Sequence, residues 1–220
     1  MLLPELRDLV VRYSRQMSED KLVSARQGNL SALDRASGLI AITPTAAEYS
    51  TMTAEDIVVI NKDNEIVEGR WLPTSEYRMH TLFYRKRSDI GAVMHCHAPL
   101  TSVFAAIYET LPLVLVETAG CVGHPIKVAP YAPPGSVQLG DICLQVMGRG
   151  TAVIMGGHGL LVVGPDLPLL YSSAISVEDN ARVVLHARAI GATPHTIPDE
   201  EARQMHDEWV SGYKPVPYSK

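Results

Sequence analysis

Apolar positions at the start of the chain follow helical spacing and then change to strand spacing. Five of them recur every three or four residues, namely Leu3, Leu6, Val10, Tyr13 and Met17. This period predicts an amphipathic first helix. Residues 27–45 and 56–69 then each contain two apolar runs separated by a polar turn, which predicts two pairs of short strands.

The rest of the chain alternates between strand-like runs and helical periods. Over 72–87 the spacing is helical, with Pro73 as a start signal and basic residues in the last turn. Further strands are predicted over 90–100, 112–118, 126–135 and 151–164, and further helices over 99–109, 136–148, 167–190 and within 200–220. We expect one α/β domain over 1–220, with a mixed or antiparallel sheet covered by helices on both faces.

Composition narrows the class of protein. The 220 residues are 46% hydrophobic, which suits one compact core, and the net charge of -5 comes without a basic block. Nucleic acid and anionic membranes are therefore not expected partners. The first helix lacks the apolar core of a signal peptide. Cys96, Cys121 and Cys143 are widely spaced and odd in number, which favours reduced thiols in a cytoplasmic protein.

Two histidines one residue apart are the first candidate for chemistry. His95 and His97 lie in an apolar run, and strand alternation places both side chains on one side with Cys96 on the other. That spacing lets both imidazoles reach one metal ion. The alternative is a pair of surface histidines. His158 lies in a glycine-rich segment after another apolar run, where it is either a third ligand or a turn residue.

Glu76 stands at the predicted start of the helix over 72–87. It is either a carboxylate that favours the helix N-terminus or a fourth metal ligand beside three histidines. His80 follows one helical turn later, and we interpret it as structural. The remaining histidines have no partner pattern and stay unassigned: His124, His186, His195 and His206.

Six segments over about 5–190 resemble, in order, the class II aldolase/adducin family. They read QGNLSA, ITPT, LPTSEYRMH, AVMHCHAP, APYAPPG and GGHGLLVVG. Within the family the similarity is greatest to the L-fuculose-1-phosphate aldolase type. The resemblance implies a three-layer α/β/α sandwich with a mostly antiparallel central sheet. It also implies a homotetramer whose active sites lie between subunits.

The resemblance further implies a metal-dependent lyase acting on a phosphorylated sugar. Its metal ligands would be Glu76, His95, His97 and His158, normally for Zn²⁺, with Mn²⁺ or Co²⁺ as alternatives. Glu76 would double as the base, and the metal would stabilise the enediolate left by cleavage of a ketose 1-phosphate into dihydroxyacetone phosphate and an aldehyde. The implied phosphate pocket contains Gly28, Asn29, Thr45, Thr74 and Ser75.

The sequence departs from the fuculose type at positions that bear on the substrate. Ala46 replaces a glycine beside the phosphate, and Arg26 replaces a small hydroxyl residue. Arg26 is either a clamp for a phosphate or carboxylate or a solvated side chain. Val116 aligns with the tyrosine that donates a proton, so we expect the adjacent Glu117 to be buried and to donate instead. Tyr213 resembles the family's tail tyrosine.

Three other functions stay open at this point. A 3-oxo sugar-acid phosphate decarboxylase of the same family would keep the three histidines and would suit an Arg26 that binds a carboxylate. An adducin-like binding domain would share the fold without catalysis, although four ligand-type residues argue for an enzyme. A non-haem iron oxygenase also uses histidines and a carboxylate.

Overall fold

A computed structural model describes residues 1–211, and Tyr213 lies outside this range. One sheet of eight strands forms its centre, in the order β4-β3-β2-β1-β5-β8-β7-β6. The strands are β1 Asn29–Leu33, β2 Ile40–Ile42, β3 Val58–Ile60, β4 Ile66–Glu68, β5 Ala92–Cys96, β6 Val128–Ala129, β7 Ala152–Met155 and β8 Gly159–Gly164. The turn pattern correctly predicted the two N-terminal strand pairs, β1–β2 and β3–β4, and both extend the sheet on one side of β5.

The sheet is mixed. All neighbouring strands from β4 to β7 pair antiparallel, whereas β6 and β7 run parallel. The expected mostly antiparallel sheet thus needs a correction at this edge. The helix α5 lies between β6 and β7 in the chain, and such a crossover returns the second strand in the same direction as the first.

Within residues 1–211, seven helices cover the two faces of the sheet. They are α1 Pro4–Glu19, α2 Tyr77–Lys86, α3 Pro99–Ile107, α4 Val116–Val122, α5 Val137–Met147, α6 Leu167–Ala189 and α7 Asp199–Val210. Because side chains alternate along each strand, Met94 and Ile154 join a core with α1, α3, α4 and α6. Val93 and Val153 join a second core with α2 and α5. The fold therefore has three layers.

The predicted strand over 112–118 is wrong. Leu111 forms only an isolated bridge with Ile126, and the helix α4 begins at Val116. A short apolar run does not by itself distinguish a strand from a buried helix. Asn180 on α6 stabilises the start of the helix, because its Oδ1 accepts hydrogen bonds from the backbone nitrogens of Val114 (2.9 Å) and Leu115 (3.2 Å) just before α4.

The apolar segment over 151–164 also differs from its prediction as one strand. It folds into β7 and β8, joined by a turn over 156–158 that holds Gly157 at a φ of 64°. The segment over 126–135 contributes only the two residues of β6. Among the helices of residues 1–211, none is long and apolar enough to cross a membrane.

Candidate active site

Three histidines meet where β5 ends and β8 begins. His95 is in β5 and His97 follows it, and their Nε2 atoms lie 2.9 Å apart. His158 lies in the turn before β8, with its ring centroid 4.5 Å from that of His95. The antiparallel pairing of Cys96 with Leu160 brings this turn beside the end of β5. The potential ligand atoms of all three histidines lie within 4.8 Å of one another.

Gly159 makes this close approach sterically possible. A Cβ at this position would lie 2.5 Å from the carbonyl oxygen of Cys96 and 3.1 Å from Cε1 of His95. Real carbon atoms do not approach so closely, so any side chain would separate β8 from the histidine pair. The glycines around His158 therefore allow β8 to lie close to the end of β5, in addition to forming the turn.

Glu76 joins the histidines from α2. It occupies the N-cap position but its side chain makes no capping hydrogen bond, so the helix-cap interpretation is wrong. The carboxylate is buried instead, with Oε2 3.6 Å from Nε2 of His95 and Oε1 3.6 Å from Nε2 of His158. The four residues that the family resemblance singled out are thus brought together by β5, the β7–β8 turn and the start of α2.

The electrostatics favour ligand-competent forms of these side chains. Nδ1 of His95 donates a hydrogen bond to the carbonyl of Leu160 at 3.1 Å, which leaves Nε2 with a free lone pair. Burial and the neighbouring His95 lower the pKa of His97 to about 4, and burial also lowers the pKa of His158. Burial opposes ionisation of Glu76, but His95 and a hydrogen bond from Asn29 hold its pKa below the ordinary value.

This constellation fits a divalent cation. Oε1 of Glu76 and Nδ1 of His158 are buried and have no hydrogen-bond partner within residues 1–211. A buried carboxylate oxygen without a partner is costly unless a cation or proton occupies its lone pairs. Three neutral imidazoles and one carboxylate are a common donor set for zinc and for other transition metals.

The residues of the implied phosphate pocket occupy neighbouring segments. Residues 43–46 and 72–75 lie side by side, because the Thr45 nitrogen donates to Leu72 and the Thr74 nitrogen donates to Thr43, both at 3.0 Å. Thr45, Ala46 and Ser75 are exposed, whereas Thr74 is buried. This surface lies immediately before α2, whose N-terminal end also carries Glu76.

Gly28 and Asn29 belong to the start of β1, which pairs with β5 so that Asn29 lies opposite His95. A Cβ on Gly28 would lie 2.8 Å from the carbonyl oxygen of His95, and its φ of 74° also favours glycine. Nδ2 of Asn29 donates to Oε2 of Glu76 at 2.9 Å. Asn29 therefore contacts the candidate metal centre directly.

Arg26, Thr45 and Ala46 line a surface cavity of about 340 Å³. The Arg26 side chain is 62% exposed, and its Nε lies 3.7 Å from Glu48, so the guanidinium remains accessible to a ligand. Ala46 has a φ of 53°, a left-handed conformation in which the glycine of the fuculose type is unstrained.

Glu117 was expected to be buried, and this expectation is wrong. It lies in the first turn of α4 and is exposed on the protomer, as is Val116. The misassigned strand explains the error, because a helix at this position turns both side chains outward. Tyr213 is outside the described residues, so its expected role stays a prediction.

A buried polar chain behind Glu76 escaped prediction. Nε2 of His80 is 2.6 Å from Oδ1 of Asn29, and its Nδ1 is 2.7 Å from Oγ of Ser31. Oγ of Ser31 is also 2.7 Å from the hydroxyl of Tyr84. Two periodicities carried the signal: Asn29 and Ser31 share one face of a strand, and Glu76, His80 and Tyr84 recur every four residues on one face of a helix.

With this geometry in hand, comparison with known proteins identifies the family. The model of the class II aldolase and adducin N-terminal domain matches residues 8–185. The chain belongs to this family. The matched range contains Glu76 and all three clustered histidines.

Two curated relatives of this family member act on closely related sugars. The chain is 34% identical over 205 residues to the 5-deoxy-D-ribulose 1-phosphate aldolase of Bacillus thuringiensis serovar kurstaki, covering 93% of this chain and 95% of that protein. It is 29% identical over 204 residues to the 5-methylthioribulose-1-phosphate/5-deoxyribulose-1-phosphate aldolase of Rhodospirillum rubrum, covering 93% and 90%.

A solved L-fuculose 1-phosphate aldolase has the same fold. It superposes with a TM-score of 0.90 at 32% identity and covers 95% of this chain and 98% of that one. The three-layer fold expected from the sequence is thus that of the class II aldolases, with the parallel pair at one edge of the sheet.

Proposed function

We propose that this protein is a metal-dependent aldolase that cleaves a ketose 1-phosphate into dihydroxyacetone phosphate and an aldehyde. The observation that carries the proposal is the cluster of His95, His97 and His158 around a buried carboxylate oxygen of Glu76 that has no partner in the described part of the chain. The similarity of the protein to curated ketose 1-phosphate aldolases over more than nine-tenths of its length supports the same reaction.

We assign the residues to distinct steps. His95, His97, His158 and Glu76 would hold a divalent metal, proposed to be Zn²⁺, which when bound supplies Lewis-acid polarisation of the ketose oxygens. The exposed groups of Thr45 and Ser75 would bind the phosphate beside the start of α2. After the C3–C4 bond breaks, Glu76 would take up a proton from solvent and deliver it to C3, the carbon that becomes the hydroxymethyl group of dihydroxyacetone phosphate.

Within this class we propose a 5-deoxypentulose 1-phosphate as the first substrate to test. The two curated relatives carry 5-deoxyribulose 1-phosphate in their names, whereas the solved neighbour acts on fuculose 1-phosphate. Cleavage of the former gives acetaldehyde, and cleavage of the latter gives lactaldehyde. The two sugars thus differ only in the aldehyde half, while the phosphate half that the metal centre holds is the same.

During cleavage the C4 hydroxyl loses its proton as C4 becomes the aldehyde carbon, and a group other than Glu76 must accept that proton. The family resemblance leads us to propose a homotetramer in which Glu117 or Tyr213 of a neighbouring subunit lies at this position. An exposed Glu117 at the start of α4 is compatible with such an intersubunit role. Light scattering after size exclusion tests the tetramer. The free thiols of the chain accord with the reducing cytoplasm, which we propose as its location.

One experiment separates the family's reactions. Purified protein with Zn²⁺ is given 5-deoxyribulose 1-phosphate, fuculose 1-phosphate and 3-oxo sugar-acid phosphates, while dihydroxyacetone phosphate and CO₂ are both measured. We expect dihydroxyacetone phosphate without CO₂. Release of CO₂ from the acids alone would instead identify a decarboxylase with Arg26 as its carboxylate clamp. No product from any substrate would favour a binding domain.

The role of Glu76 is tested in the same assay. Glu76→Gln should retain the three histidines yet lose proton exchange between solvent and dihydroxyacetone phosphate, because an amide does not accept and return a proton at neutral pH. Unchanged exchange in this variant would remove Glu76 from the proposed step.

A further inference from the structure

We propose that His80 is a positioning residue that fixes the orientation of Asn29 and, through it, the carboxylate of Glu76. The inference rests on the proposed function for its catalytic consequence, but its geometry stands alone. His80 is fully buried, and both of its ring nitrogens are bonded inside the protein, so it is not a metal ligand itself.

The orientation of Asn29 sets the direction of every hydrogen bond in this network. Its amide nitrogen donates to Oε2 of Glu76, so its carbonyl oxygen faces Nε2 of His80. Nε2 of His80 must then carry the proton, and Nδ1 accepts from the hydroxyl of Ser31. Ser31 in turn accepts from the hydroxyl of Tyr84.

The hydrogen bonds from Tyr84 through Ser31, His80 and Asn29 give the two oxygens of Glu76 different environments. Oε2 is held by Asn29, whereas Oε1 lies 3.6 Å from Nε2 of His158 and has no hydrogen-bond partner within residues 1–211. Oε1 thus keeps both of its lone pairs for a metal or a substrate proton, whereas Oε2 has already accepted one hydrogen bond. These hydrogen bonds therefore favour Oε1 as the acting oxygen and fix the orientation of the carboxylate.

Burial makes the role of His80 specific. Asn29 is 4% exposed and Ser31 is fully buried, so water does not replace a lost partner without a rearrangement. Without the His80 N–H, the Asn29 oxygen loses its donor inside the protein. Rotation of the amide by half a turn would then place that oxygen against Oε2 of Glu76, where two acceptors repel each other.

The test compares three variants at two buried positions on the same helix. His80→Leu removes the donor to Asn29, whereas His80→Gln keeps an N–H near the position of Nε2. Thr81→Val is the matched control, because Thr81 is equally buried but bonds Asn64 rather than the Glu76 chain. Turnover, KM, zinc affinity and thermal stability are measured for each protein in its folded state.

We expect His80→Leu to lower kcat and zinc affinity by about 10–100-fold, as for other partners of metal ligands, with KM changed less than about twofold. His80→Gln should recover most of both losses, and Thr81→Val should keep wild-type kcat even where it lowers stability. Equal losses in His80→Leu and Thr81→Val would overturn the proposal, because they would indicate general packing. Wild-type kcat and zinc affinity in His80→Leu would also overturn it.

A measurement on the wild-type protein covers the case in which His80→Leu does not fold. Nitrogen-15 NMR of the imidazole reports which ring nitrogen carries the proton. We expect the Nε2–H form of His80, and the Nδ1–H form would overturn the proposal. If the wild-type protein cleaves no ketose 1-phosphate, the proposed function fails, whereas the tautomer and the zinc affinities still decide the positioning role.

Discussion

Removal of the Glu178 carboxylate should loosen the junction between the metal centre and α3. The N-cap of α3 is Ala98, which offers no side-chain acceptor. Glu178 on α6 supplies it: Oε1 accepts from the Leu100 nitrogen at 2.7 Å, and Oε2 accepts from the nitrogen and hydroxyl of Thr101 at 2.8 and 2.7 Å. Because α3 begins two residues after His97, this carboxylate anchors the segment that carries a candidate ligand.

The three hydrogen bonds to Glu178 determine how much stability its removal should cost. A hydrogen bond to a charged group contributes about 1.5–3 kcal/mol, but three bonds to one carboxylate are not additive. We therefore expect Glu178→Ala to lower the free energy of unfolding by about 3–5 kcal/mol. Glu178→Gln keeps one acceptor oxygen and should lower the free energy of unfolding by about half as much as Glu178→Ala. At about 2–4 °C per kcal/mol for a chain of this size, the alanine variant should lose roughly 6–20 °C in Tm.

Urea unfolding followed by circular dichroism measures this change, at fixed protein and metal concentrations because bound ligands shift apparent stability. Asp179→Ala is the neighbouring control, since within the described residues Asp179 makes only a surface ion pair with Arg182. It should change stability by less than about 0.5 kcal/mol. A loss below about 1 kcal/mol in Glu178→Ala would refute the anchoring role, as would unchanged zinc affinity in a variant that is strongly destabilised.

Three further predictions concern single positions. Gly159→Ala should weaken zinc binding at least about tenfold by calorimetry, because its Cβ would meet the Cys96 carbonyl oxygen, and wild-type affinity would contradict the steric argument. Ala46→Gly should raise the free energy of unfolding by up to about 1 kcal/mol, because relief of the left-handed backbone strain at Ala46 exceeds the entropy cost of glycine. A lower Tm in this variant would contradict the prediction. Burial raises the pKa of Cys96 and Cys143 to about 12. We therefore expect both thiols to resist a disulfide reagent in the native protein and to react after denaturation. Rapid labelling of the native protein would contradict this.

Short-range patterns were sufficient for part of the site. Strand alternation correctly placed His95 and His97 together, because the period of two is a property of the extended backbone itself. The glycines around His158 also pointed to close approach, and Gly159 confirms this against the Cys96 carbonyl oxygen. Such features depend only on a residue and its immediate neighbours in sequence.

Long-range contacts explain what the sequence did not predict. The helix α4 begins at Val116 because Asn180, far along the chain, binds the preceding backbone, and the exposure of Glu117 follows from that. Glu76 could not be distinguished from a helix cap until its carboxylate was found against His95. His80 was correctly interpreted as structural, but its bond to Asn29 depends on the packing of α2 against β1.

The stoichiometry of zinc binding decides whether the three histidines and Glu76 form one metal centre. Protein stripped with a chelator, dialysed and then titrated with Zn²⁺ in a calorimeter should bind one ion per chain, and His97→Ala should lose that binding while it remains folded. The proposed aldolase reaction requires the three histidines and Glu76 to bind one cation together. Absence of zinc binding in the folded wild-type chain, or undiminished binding in His97→Ala, would contradict it.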